Sequence, residues 1–281
     1  MTTAPIPGPG KLTYGSYLKV AELLELQQRK SDPVHHDEML FIIAHQVYEL
    51  WFKQALHEIE AVIGHLERDE ALKAGRVFDR LHRISHLLIE QIPVLETMST
   101  IDFAAFRDHL RPASGFQSVQ FRLLEFLCGA KNPRMMGLAG DDEAVRRRLE
   151  EFAARPTVYD HLLRHLDRKG FTMPREVLER DTSKLHEPDE RVAKAMVRVY
   201  MESDEHYPQF RLCEQFLEFD ERFSIWRFHH VKMVERMIGG KTGTGGSSGA
   251  KYLAGTLSIR FFPEIWMVRD YIGTGYGGEH P

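Results

Sequence analysis

The stretch Phe41-Ile42-Ile43-Ala44-His45-Gln46-Val47-Tyr48-Glu49-Leu50-Trp51-Phe52-Lys53-Gln54-Ala55-Leu56-His57-Glu58-Ile59-Glu60-Ala61-Val62-Ile63-Gly64-His65-Leu66 decides the fold. Phe41, Ala44, Tyr48, Phe52, Ala55, Ile59, Val62 and Leu66 recur every three or four positions, which places them on one stripe of a helix. Begun at Pro33 with Asp32 as its cap, this helix would run about 50 Å. The same period returns over Leu72 to Leu88, Gln117 to Leu127, Glu143 to Phe152, Thr157 to Leu166, Arg191 to Phe219 and Arg222 to Ile238. Alternating strands joined by hairpin turns are not in the pattern. The fold is read as all-α, a helical bundle with long helices and no substantial sheet. No linker-like segment divides it, so residues 11–272 are read as a single domain between a flexible tail at 1–10 and another at 273–281.

Composition narrows the function. With 281 residues, 43% hydrophobic and 28% charged, the chain can bury roughly three quarters of its unfolded surface, enough for a large core and an internal cofactor. It carries 15 histidines but 2 cysteines. Cys128 and Cys213 stand apart, which excludes a disulfide scaffold and a cysteine-rich metal site and leaves imidazole as the ligand or acid–base group to follow. A net charge of −4 gives no electrostatic footprint for nucleic acid. Arg146, Arg147 and Arg148, the one basic run, are flanked by acidic residues and read as a solvated helix face. The longest apolar run, Met39 to Ala44, is far short of the roughly 18 residues of a membrane span. Met1 to Gly10 lack a basic start followed by an apolar block, so no secretory signal is read and a cytoplasmic protein is expected.

Gly239 to Gly249 holds six glycines in eleven residues directly after a helix. The phosphate-loop spacing would need glycine at Glu235, and a strand rather than a helix should precede it, so that reading fails. Gly273, Gly275 and Gly278 spell G-x-G-x-x-G with no room for the helix such a motif requires. The 239–249 segment is better read as a loop that closes over a ligand than as a linker, since loops of this length within one domain are usually functional.

The histidines sort by helical face. His82 with His86, and His161 with His165, are i, i+4 pairs able to share a metal, but no further ligands are marked out, and exposed helical histidines are the expected reading. No H-E-x-x-H occurs, and a lone Asp79-x-x-His82 does not supply a di-iron bundle. His230 shares an apolar stripe with Trp226, Met233, Val234 and Met237, whereas His229 faces partly outward. A buried imidazole there either donates to a main-chain carbonyl, the commoner case, or holds a haem iron from one side of an apolar slot. His45 lies likewise on the Phe41, Ile42, Tyr48, Phe52 face.

Taken together, several blocks resemble the tryptophan 2,3-dioxygenase family. They are Leu12-Thr13-Tyr14-Gly15-Ser16-Tyr17-Leu18; His35-His36-Asp37-Glu38-Met39-Leu40-Phe41-Ile42-Ile43-Ala44-His45-Gln46; Phe106-Arg107-Asp108 with Pro112-Ala113-Ser114-Gly115-Phe116-Gln117-Ser118; Trp226-Arg227-Phe228-His229-His230; and Gly243-Thr244-Gly245-Gly246-Ser247-Ser248-Gly249. They occur in family order from about residue 11 to 265.

The resemblance implies a haem b enzyme that inserts both atoms of O₂ across the indole C2–C3 bond of L-tryptophan, giving N-formylkynurenine, the first step of tryptophan catabolism. It makes His230 the proximal iron ligand and His45 the distal group that meets the indole N–H. It assigns Arg107 to the substrate carboxylate, Thr244 to the ammonium and carboxylate, and Phe41 and Phe103 to the walls around the indole. Ser114 and Gly115 would line the distal haem pocket. Tyr14, Tyr17 and Leu18 would complete a neighbouring subunit's site in a homotetramer. Two positions depart from some members: Phe103 stands where a tyrosine is found, and His229 where an arginine is found. A broader indoleamine-accepting dioxygenase, a haem sensor or carrier, and a helical interaction protein without cofactor are the alternatives.

Overall fold

The computed structural model describes residues 11–246 and 248–273. Among them every regular element is helical, as the periodicity predicts. The order is α1 (Tyr14–Leu18), α2 (Val20–Leu24), α3 (Glu38–Glu67), α4 (Ala71–Glu96), α5 (Thr100–Phe106), α6 (Val119–Cys128), α7 (Glu143–Ala154), α8 (Val158–Arg168), α9 (Arg175–Leu178), α10 (Glu190–Met201), α11 (Tyr207–Ile238), α12 (Ala250–Ala254) and α13 (Pro263–Tyr271). No helix among the described residues is long and apolar enough to cross a membrane. The tail read at 1–10 and, apart from Gly273, the tail read at 273–281 lie outside the described residues.

The frame is three long helices, with α4 packed between α3 and α11. The predicted stripe is the reason. Phe52, Ala55, Ile59, Val62 and Leu66 of α3 are buried together with Phe78, Leu81 and Leu88 of α4 and Phe216, Phe219 and Phe223 of α11. Each of these side chains except Ala55 contributes roughly 1.5–3 kcal/mol by leaving water. α6 packs on α3 and α7, and α13 on α10.

Three boundaries differ from the sequence reading. α3 opens at Glu38 rather than Pro33, because the buried Glu38 carboxylate turns back to accept from Lys30 N (2.5 Å), Ser31 N (3.0 Å) and Ser31 Oγ (2.6 Å), folding residues 30–37 into a turn. α4 continues past Leu88 and through Pro93 to Glu96. The helix read as breaking between Phe219 and Arg222 is unbroken there. Asp220 sits inside it with a buried carboxylate that accepts from Phe261 N, Phe262 N and Trp266 Nε1. The break falls instead before Tyr207, where Pro208 occupies the first turn, a position whose missing N–H costs nothing.

The paired histidines are a further correction. His86 is exposed, but His82 is buried between α4 and α11 and donates through Nε2 to Gln215 O (3.0 Å). His165 is fully buried, with Nδ1 2.9 Å from Asp69 Oδ1, while His161 is half-buried. His82 thus fastens α4 to α11 and His165 fastens α8 to the turn between α3 and α4, and neither pair belongs to a cluster of three metal-capable side chains among the described residues.

Candidate active site

A cavity of about 270 Å³ opens between α3, α11, the α5–α6 connection and the glycine-rich segment. Eight residues singled out from the sequence line it together: Phe41, His45, Phe103, Arg107, Ser114, Gly115, His230 and Thr244. Tyr14, Tyr17 and Leu18 do not, and are 79%, 70% and 44% exposed. His229 is exposed and outside the lining.

α3 carries Phe41 and His45 one turn apart, so both face the cavity. Their rings lie 4.1 Å apart between centroids, and Phe41 stacks on Phe103 at 5.7 Å. His45 Nδ1 is 2.7 Å from Phe41 O. A carbonyl only accepts, so Nδ1 carries the proton and a neutral ring keeps its lone pair on Nε2. Burial pushes the His45 pKa below its ordinary 6.5, against the opposing pull of the Phe41 carbonyl and the Glu49 carboxylate.

His230 comes from α11, one turn after Trp226, whose ring stacks on it at 5.3 Å with 23° between planes. Among the described residues its ring nitrogens have no hydrogen-bond partner. The reading of a core imidazole donating to a main-chain carbonyl therefore does not hold. Burial, aided by His45 and Arg122, pushes its pKa down to about 4, which keeps the ring neutral with one nitrogen lone pair free.

Arg107 stands on a short 3₁₀ turn, Arg107–Leu110, and is buried. Its guanidinium lies 5.8 Å from the Phe103 ring centroid, Nη2 donates to Thr242 O (2.7 Å), and Nε is buried without a partner. The glycine-rich segment packs across this end of the cavity, where Thr244 Oγ1 donates to Ala113 O (2.6 Å). Two of its glycines are required by space. A Cβ on Gly249, whose φ is +57°, would stand 2.8 Å from Lys241 O, and one on Gly245 would stand 2.6 Å from Ser114 Cβ. Ser114 in turn caps the 3₁₀ turn Gly115–Gln117.

Sequence reasoning missed part of the lining. Arg122 and Glu125 of α6, Arg227 of α11 and Tyr252 of α12 also border the cavity. The available signal was an opposite-charge pair three residues apart, Arg122 and Glu125, inside the otherwise apolar run Phe121 to Cys128.

Fold and site define a class: an all-α protein whose apolar cavity receives one imidazole from each of two long helices, a buried guanidinium and a glycine-rich flap. The sequence profile described as tryptophan 2,3-dioxygenase matches residues 7–137 and 136–272. A protein of Xanthomonas campestris pv. campestris named tryptophan 2,3-dioxygenase is 44% identical over 264 residues, 94% of this chain and 89% of the relative. Proteins of the same name from Xanthomonas oryzae pv. oryzae and Myxococcus xanthus are 43% and 41% identical, covering 94% and 92% of this chain and 89% of each relative. The chain belongs to the tryptophan 2,3-dioxygenase family.

Proposed function

We propose that residues 11–272 act as one catalytic domain that cleaves the indole C2–C3 bond of L-tryptophan with O₂, giving N-formylkynurenine, with haem b as cofactor. The observation that carries this is the convergence on one cavity of two imidazoles, Arg107, Thr244 and the Phe41–Phe103 pair. The residues fit the cofactor. His230 offers an unpartnered, neutral imidazole on an apolar wall, which is what a single proximal ligand requires. When bound, haem iron supplies the binding and activation of O₂.

The chain's own residues position the substrate. His45 presents Nε2 as an acceptor for the indole N–H, because its Nδ1 proton is committed to Phe41 O. Phe41 and Phe103, stacked on each other, wall the indole ring and exclude water. The Arg107 guanidinium suits the substrate carboxylate, since a planar fork makes two parallel charge-assisted bonds. Thr244 brings a hydroxyl to the ammonium and carboxylate end and closes the flap over it, while Ser114 and Gly115 line the distal side of the porphyrin. Fixing these contacts before reaction is the protein's contribution to rate.

Tyr14, Tyr17 and Leu18 bear on assembly. Thr13 and Ser16 cap α1 reciprocally, so an ordered helix presents three large apolar side chains to solvent. Such a helix buries its apolar face against another subunit, which supports a homotetramer whose N-terminal segment completes a neighbour's site. The cytoplasm is the proposed compartment.

The visible spectrum of the purified, haem-reconstituted protein tests the reading. A Soret band lost in His230→Ala, with turnover of L-tryptophan but not of D-tryptophan or tryptamine, is the expected result. A colourless reconstituted protein would overturn it, and equal turnover of all three indoles would replace it with a broader indoleamine dioxygenase.

A further inference from the structure

The cavity wall carries a positive charge that the proposed substrate contacts do not use. Arg122 of α6 is 7% exposed. Nη1 donates to Glu125 Oε2 (2.5 Å), Nη2 makes a long contact to Phe116 O (3.5 Å), and Nε is buried with no partner. Glu125 is shared, because Arg227 Nη2 also donates to it (3.4 Å). Arg227 is otherwise engaged, with Nη1 on Ile259 O (3.2 Å) and its guanidinium 4.7 Å from the Phe261 ring centroid. One carboxylate therefore faces two buried guanidiniums. The other carboxylate of the lining, Glu49, accepts from Gln120 and forms no ion pair with an arginine among the described residues.

A buried guanidinium with unmet donors is costly unless an anion completes it. The rings of Phe116 and Phe121, each with its centroid 5.0 Å from the Arg122 guanidinium, offset part of that cost but accept no N–H bond in its plane. Beside this group the Tyr252 hydroxyl also borders the cavity, and it has no hydrogen-bond partner among the described residues. Phe116 touches both side chains, its ring lying edge-on to Tyr252 at 5.2 Å. Arg107 is a separate case, held to the flap at Thr242 and set against Phe103.

We propose that Arg122, assisted by Tyr252, anchors one carboxylate of the porphyrin. This rests on the haem reading above. Haem b brings an iron that needs one imidazole and two carboxylates that need donors; His230 meets the first need, and Arg122 is a buried guanidinium of the same cavity left over after Arg107 is given to the substrate. A carboxylate set against Nε and the free N–H groups of Arg122 completes the guanidinium and relieves the shared demand on Glu125. Such an anchor would limit rotation of the porphyrin within the cavity.

The test reads haem retention rather than turnover. Wild type and Arg122→Gln are each loaded with haem and with haem dimethyl ester, which has no ionised carboxylate, and release is followed by loss of the Soret band to an excess of haem-scavenging apoprotein. Arg122→Gln is expected to release haem about 10- to 100-fold faster than wild type and the dimethyl ester at the wild-type rate. Tyr252→Phe, which removes one hydroxyl from a half-buried ring, is expected to speed haem release a few-fold and gives a second variant if Arg122→Gln does not fold. Equal acceleration for both porphyrins, or none for haem in either variant, overturns the anchor. Failure of wild type to take up either porphyrin would instead overturn the haem reading beneath it.

Discussion

Arg107 Nη2 donates to the carbonyl of Thr242 at 2.7 Å, so the guanidinium assigned to the substrate carboxylate also holds the near end of the glycine-rich flap. On the proposed assignment, substrate binding and flap closure would meet at one side chain. Arg107→Ala removes both links and is expected to lower kcat/KM for L-tryptophan by roughly 100-fold or more, from a charge-assisted pair worth about 3 kcal/mol. Arg107→Lys keeps the charge but not the fork, and is expected to recover only a small part of that loss. Steady-state kinetics decide it, and a wild-type KM in Arg107→Ala would remove the carboxylate role.

Gly245 seats the flap against Ser114, with no room for a Cβ between them. Gly245→Ala is therefore expected to prop the flap open, raising KM several-fold and quickening proteolysis within residues 239–249, while helicity by circular dichroism stays at the wild-type level. An alanine variant with unchanged KM and unchanged cleavage would show that the flap does not close on this contact.

His45 must be neutral to accept an indole N–H at Nε2, and burial holds its pKa below the ordinary 6.5. The sign follows: lowering the pH charges the ring only at a pH below the ordinary 6.5, turning Nε2 from acceptor into donor. The expected profile of kcat/KM is flat from pH 8 through about 6.5 and falls at lower pH. A descending limb at or above 6.5 that vanishes in His45→Ala would contradict the arrangement.

Periodicity makes the helices legible because each long helix buries one continuous stripe, and the same stripes pick out His45 and His230 as imidazoles on apolar faces. Arg107, Phe103 and Thr244 carry no spacing signature, and only the likeness of their surrounding blocks to a family reaches them. Arg122 is hidden for a different reason: its bonds go to Glu125 and the Phe116 carbonyl, Glu125 is shared with Arg227 of α11, and the donors left unmet exist only in three dimensions. The displaced helix break has a local cause. The run Glu202-Ser203-Asp204-Glu205-His206 followed by Pro208 is the boundary signal, whereas Asp220 resembles a helix end only until its carboxylate is seen to serve residues 261, 262 and 266.

That carboxylate supports the last prediction. Asp220 satisfies Phe261 N (3.0 Å), Phe262 N (3.2 Å) and Trp266 Nε1 (3.0 Å) from a fully buried position, tying the segment before α13 to the middle of α11. Asp220→Ala leaves two backbone donors and an indole N–H without that acceptor, at a cost of about 3 kcal/mol or more. For a chain of this size that lowers Tm by roughly 6–12 °C. The same change frees the segment whose Ile259 carbonyl accepts from Arg227, so haem release is expected to quicken as well. Differential scanning calorimetry of Asp220→Ala against wild type checks the first effect. A Tm within about 2 °C of wild type, less than the shift a single lost kcal/mol would give, would mean that the segment is held to α11 by its phenylalanine packing and not by this carboxylate.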